Sequence, residues 1–151
     1  MARITTNTTG TQPVITLSTA TSGGNLVIPF IQDVTITNST GVYAYTTFTD
    51  ADKRKLSTPA DNEVSTNIVI DDAAFFGNSA ATAGTAANLG LIGLSGTKTA
   101  VNFTIDWAGA NGASSTGTGF ITSIAAKTSP EAPVWVTPLN IAVDGGFTTT
   151  A

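Results

Sequence analysis

Carboxylates, lysines and hydroxyls must carry any chemistry this chain performs, because its 151 residues include no histidine and no cysteine. Those two side chains supply most proton shuttles, thiol nucleophiles and transition-metal ligands near neutral pH. Asp71 and Asp72, with Asp106 further along, are residue types that could hold Mg²⁺ or Ca²⁺ through oxygen. Either of the adjacent aspartates would equally cap the first turn of a following helix. Gly93-Leu94-Ser95-Gly96 has the outline of a nucleophile elbow, but no histidine exists to activate the serine, so acyl transfer fails as a reading. The glycines of Ala108–Gly119 (AGANGASSTGTG) lack the Lys-Ser/Thr ending of a phosphate-binding loop and lead into a strand-like run, so they read as a hairpin tip. The expectation is a non-catalytic protein with no cofactor and no metal.

What remains is binding. Asp50–Asn62 (DADKRKLSTPADN) is the charge-dense segment, and within it Lys53-Arg54-Lys55 is balanced by Asp50, Asp52 and Asp61, with Glu63 just beyond. As a nucleic-acid patch this is weak, since the net charge is -4 and no basic stripe accompanies it. Mixed signs suit a docking loop that sets register against another copy of the chain, with Asp50, Asp52, Lys53, Arg54, Lys55 and Leu56 as the candidate contacts. A plain solvated loop is the alternative. Charged residues make up 11% of the chain, against roughly 25% in ordinary globular proteins. So sparse a charge favours a surface largely covered by copies of itself or by partners.

The elements that would position this segment follow a period of two. Val14–Thr19 reads as a short strand, and Leu26–Thr37 as a strand broken at Pro29, which cannot donate to a ladder. Asn38–Gly41 (NSTG) reads as a turn leading into Val42–Thr49, where Tyr43 and Tyr45 share one face. Glu63–Asp71 places Val64, Thr66, Ile68 and Ile70 on one side, so the runs flanking the charged loop should pair as a long hairpin. The alanine-rich stretch after Asp72 is the helix candidate, shortened or broken by Gly77, Gly84 and Gly90. Lys98–Trp107 alternates most clearly, with Val101, Phe103, Ile105 and Trp107 as the core strand. Phe120–Lys127 and Val134–Val143 complete the set, and Asp144-Gly145-Gly146 with a Phe-Thr tail ends the chain. The expected fold is mainly β: a β-sandwich or open barrel with one short flanking helix. Residues 1–12 form an arm, 13–147 a single β domain with a projecting loop at 50–62, and 148–151 a tail. The polar start, MARITTNTTG, has no apolar run of the signal-peptide kind, and no window is apolar enough to span a bilayer as a helix, so a soluble chain made in the cytoplasm is expected.

The charged segment between two strands (FTDADKRKLSTPADNEV), the helical piece, the GLIGLSGTKTAVNFTIDW run and the ending GTGFITSIAAKTSPEAPVWVTPLNIAVDGGFTTT together resemble the tail tube, or major tail, proteins of long-tailed bacteriophages. The resemblance covers residues 34 to 149 and implies a structural subunit of the virion tail, assembled in the host cytoplasm. It further implies six-fold rings stacked head to tail, the strands of all subunits closing a β-barrel around a channel. The implied partners are further copies of the chain and other tail proteins, with DNA passing through the lumen unbound and no membrane involved. By the same analogy the 50–62 loop would reach the adjacent ring. A capsid decoration protein, or a carbohydrate-binding β-sandwich using Tyr43 and Tyr45, are the competing readings.

Overall fold

In the computed structural model, residues 13–28, 30–107, 112–125 and 136–150 are described. The expected arm, residues 1–12, lies outside them. Seven strands and two helices follow in the order β1 (Val14–Ser18), β2 (Leu26–Ile28), β3 (Ile31–Tyr45), β4 (Arg54–Val69), α1 (Asp72–Phe76), α2 (Ala86–Thr97), β5 (Val101–Asp106), β6 (Ser114–Ile124) and β7 (Val136–Thr150). The strands make one sheet in the order β2-β1-β5-β6-β7-β4-β3, with every pair antiparallel.

The two strands at the ends of that order are consecutive in the chain. Ile28 and Ile31 are three Cα steps apart, at most about 11 Å, so the sheet must curl until its ends meet. The closure is staggered. Following partners from Ile28 through Ile15, Ile105 and Ser115 reaches Thr149 on β7, whereas Ile31 through Ile68 reaches Thr137, twelve residues away on the same strand. Such an offset is what a barrel of tilted strands needs. The run 26–45 therefore flanks β1 in its first part and β4 in its second.

Alternation along the strands sends one set of side chains inward. Ile15, Leu17, Val64, Ile68, Val101, Phe103, Ile105, Leu139 and Ile141 are fully or almost fully buried. The helices add Phe75, Leu91 and Leu94 to the same cluster. Trp107 lies one residue beyond β5, half-buried, and its Nε1 donates to Ser115 Oγ at 2.8 Å.

Two helices form where one short helix was expected. Asp71 caps α1, its carboxylate accepting from Ala74 N at 3.2 Å, which is the use the adjacent aspartates find. Thr85, fully buried, caps α2 by accepting from Asn88 N. Helix α2 extends to Thr97 and so takes in Leu91–Gly96, including the serine of the elbow-like sequence. Within it Gly90 serves as a kink at φ 65°, where α1 presses so close that a Cβ would fall 2.3 Å from Gly77 N.

Four segments expected as loops, turns or tail are strand. Asn38–Gly41 lies within β3, Arg54–Asn62 within β4, and Ser114–Gly119 within β6. The Phe-Thr tail pairs too, with Thr148, Thr149 and Thr150 opposite Thr116, Ser115 and Ser114. The turn-forming residues sit in bulges. Thr40 pairs with Ala60 and Val42 with Ser57, so Thr58-Pro59 faces the single residue Gly41. A bulge is where a strand tolerates proline, whose missing N–H costs no ladder bond there. On β7, Asp144-Gly145-Gly146 opposes Thr118 alone, between the pairs Gly119–Val143 and Gly117–Phe147.

Candidate assembly surface

Strand β4 lies between β7 and β3 only as far as Asn62, which pairs with Val143. From Asp61 to Arg54 it keeps β3 as its one strand neighbour among the described residues, giving a two-stranded ribbon with Ser39–Tyr45. Seven residues at about 3.4 Å each carry this ribbon about 24 Å beyond the last pairing of β4 with β7. Its residues are exposed on both faces, Tyr45 being the half-exposed exception. That is unusual for a strand pair bearing Val42 at 60%, Tyr43 at 62% and Leu56 at 55% exposure.

Cross-strand partners share a face, so Tyr43 with Leu56 and Tyr45 with Arg54 form one side of the ribbon. The two tyrosine rings stack at 6.4 Å between centroids and 19° between planes. Val42, Ala44, Lys55 and Ser57 form the other side. Phe48 stands fully exposed in the turn at the tip. A dent of about 100 Å³ lined by Ala44, Tyr45, Thr46 and Lys53 lies beside that turn. It admits one small side chain, well short of the roughly 300 Å³ where small-molecule pockets begin.

Asp50 organises the turn. Its Oδ2 accepts from Thr47 Oγ1 at 2.7 Å and Thr47 N at 3.2 Å, and Arg54 Nε donates to both carboxylate oxygens at 3.1 Å. These bonds hold the Asp50 carboxyl below its ordinary value, the Thr47 hydroxyl being the largest cause; desolvation opposes it, and Arg54 and the Thr47 N–H add to it. A lowered folded-state pKa gives order that is fully present above the ordinary carboxylate value and is lost as pH falls through the lowered one. In an NMR titration the Asp50 carboxyl carbon should titrate below the ordinary aspartate range, and Thr47→Val should move its midpoint upward. An unmoved midpoint would remove the hydroxyl as the organising contact.

The structure thus brings the six candidate contacts onto one projection, divided between elements. Asp50, Asp52 and Lys53 lie in the turn, and Arg54, Lys55 and Leu56 begin β4. Two participants carried no sequence signal of charge. Phe48 reads as a strand residue beside Val42 and Ala44, and Asn62 reads as the end of a loop. Asn62 is in phase with Val64, Thr66 and Ile68, so a polar residue at an inward position was the available clue. Among the described residues no three histidine, cysteine, aspartate or glutamate side chains cluster as metal ligands.

The outward face of the barrel sheet is a second surface. Thr16, Thr104, Thr116 and Thr148 form one cross-strand row, and Thr35, Ser65 and Asn140 belong to another. Thr118 Oγ1 donates to Asn102 Oδ1 at 2.8 Å and Ser65 Oγ to Asn140 Oδ1 at 3.0 Å, tying strands together with neutral groups. The charges on this face among the described residues include the exposed carboxylates Asp33, Glu63 and Asp106.

No protein-family model and no curated protein matches the sequence. Solved structures do match the fold. A chain in the tail of an empty gene transfer agent (GTA) particle, refined helically with C6 symmetry, superposes with a TM-score of 0.64 at 16% identity, over 91% of this chain and 96% of that one. This chain has its fold. A chain of the PVC sheath–tube complex, an extracellular contractile injection system in its extended state, matches at TM-score 0.61 and 13% identity, over 93% of this chain and 88% of that one. The six-fold symmetrised baseplate of the anti-feeding prophage contributes a third, at TM-score 0.58 and 8% identity, covering 97% of each chain. The mainly β architecture expected from sequence is that of subunits in tail and injection particles.

Proposed function

We propose that this chain is a non-catalytic structural subunit of a phage-like tail tube, assembling with itself into stacked six-fold rings. The observation that carries the reading is the β3–β4 ribbon, an exposed strand pair with apolar side chains on both faces, projecting from a fold shared with tail-particle subunits. A two-stranded hairpin alone is marginally stable in water, so its exposed aromatics and leucine gain most when a neighbouring copy covers them. The Asp50–Lys55 charges at its tip set register on the adjacent ring. The β7-facing edge of the β4 ribbon and the facing edge of β7 beyond Val143 have no strand partner among the described residues, and pairing between subunits would remove those edges.

The outward face of the sheet suits a channel wall. Hydroxyls and amides with a few carboxylates repel phosphate weakly and, among the described residues of this face, offer no cation for counterion-release binding, so nucleic acid would pass without adhering. In this reading the protein resides in the virion tail, is assembled in the host cytoplasm and meets other tail proteins at the tube's ends. Concentrated purified protein should form hollow filaments in negative-stain electron microscopy, with six-fold rings in end views. Monomers at every concentration would overturn the proposal, and binding to preformed capsids in their place would favour a decoration protein.

A further inference from the structure

Where the ribbon leaves the barrel, strands β4 and β7 part company, and one side chain sits at the point of divergence. Asn62 is 4% exposed and is the last β4 residue paired with β7. Its Nδ2 donates to the carbonyl of Gly145 at 2.8 Å, in the middle of the bulge that lets β7 turn aside. Gly145 is at φ 79°, a conformation that side chains rarely adopt. The Oδ1 of Asn62 is buried and has no hydrogen-bond partner among the described residues. A buried amide that satisfies one end and leaves the other wanting is costly. Valine or threonine would serve burial better at this inward position, as at Val64 and Thr66. The cost is understandable if the bonded end has a task.

We propose that Asn62 is a positioning residue: by clamping the Gly145 carbonyl it fixes the angle at which the β3–β4 ribbon leaves the barrel. The inference deepens the assembly reading and rests on it for its purpose, though not for its geometry. The ribbon is a lever about 24 Å long, so a small change of angle at Asn62 becomes a shift of several ångströms at Phe48 and Asp50. An interface that requires the tip at one place on a neighbour depends on that angle being set beforehand, since a preorganised tip loses less entropy on docking. The Asn62–Gly145 bond joins residues 83 apart in sequence, so no local turn preference can replace it.

The absence of cysteine from the natural sequence makes the angle directly measurable. Spin labels at Ala51→Cys in the tip and Thr104→Cys on β5 report the tip-to-barrel distance in dilute, full-length monomer by pulsed electron resonance. Wild type should give a single narrow distribution, and Asn62→Ala should broaden it about two-fold or shift its centre as the clamp's one bond is lost. The Asn62→Ala chain without labels should need about ten times more protein to assemble, the equilibrium counterpart of one lost buried hydrogen bond. Gly145→Val approaches the clamp from the other strand without touching Asn62 and should broaden the distribution likewise, whereas Gly145→Asn, which accepts positive φ, should leave it narrow. If Asn62→Ala does not fold, Gly145→Val decides alone. An unchanged distance distribution in the folded variant overturns the proposal. Failure of the wild type to assemble would overturn the tube reading while the distance measurement still judged the clamp.

Discussion

Replacing Leu56 with aspartate should abolish filament formation while leaving the barrel folded. Leu56 lies on the ribbon, 55% exposed and opposite Tyr43, and among the described residues it belongs neither to the buried core nor to the hydrophobics packed against it. A surface substitution of this kind alters folding stability by about 0.5 kcal/mol or less, so circular dichroism and the melting temperature should match wild type. Assembly is another matter. The variant forfeits roughly 1.5–3 kcal/mol of apolar burial and must desolvate a carboxylate beside Tyr43 with Arg54 already engaged by Asp50. The loss recurs at every subunit, and the concentration needed for assembly should rise at least about 100-fold. Sedimentation and electron microscopy read this directly. Filaments of normal length at wild-type concentrations would remove the ribbon from the interface.

The second large effect is in the core. Phe103 is fully buried on β5, between β1 and β6, and reaches the same cluster as Phe75 and Leu94 of the helices. Phe103→Ala should cost about 3–5 kcal/mol, because the vacated volume lies inside a curled sheet covered by the helices, whose walls have little room to collapse. Against a typical total of about 5–15 kcal/mol, the variant should show a strongly lowered urea midpoint with an unchanged slope. A loss under about 1 kcal/mol would mean that the barrel interior is loosely packed. Unlike Leu56→Asp, this change should depress stability and assembly together, so the pair separates folding from association.

The contrast also explains what was legible in the sequence. Val101, Phe103 and Ile105, and Val64, Thr66 and Ile68, alternate because one face of each strand meets the core, and the period is visible without any structure. Arg54–Asp61 has no such contrast to display, since both of its faces meet solvent, and its charges and Pro59 imitate a loop. Asn38–Gly41 and Asp144–Gly146 carried real turn chemistry, but it serves bulges inside long strands. Bulge and hairpin turn demand the same glycines and prolines, and only the pairing of distant segments tells them apart. The Leu91–Thr97 part of α2 was obscured by Gly93 and Gly96 and by Gly90 before them, the last of which is a kink that depends on contact with α1. The cluster of charges over residues 50–55 was visible in the composition, whereas Asn62 gains its meaning from Gly145, which lies 83 positions away.

The ribbon's attachment bears on how such a subunit would carry load. A pull on the tip along the ribbon axis runs down β4 into its ladder with β7, whose eight residue pairs from Asn62–Val143 to Val69–Val136 follow one another along the force with their hydrogen bonds perpendicular to it. Those bonds are then strained in shear, all sharing the tension at once, and none can be peeled open singly from one end. A column of subunits joined in this way would resist being stretched far better than it would resist the sideways prising of one ribbon from its neighbour.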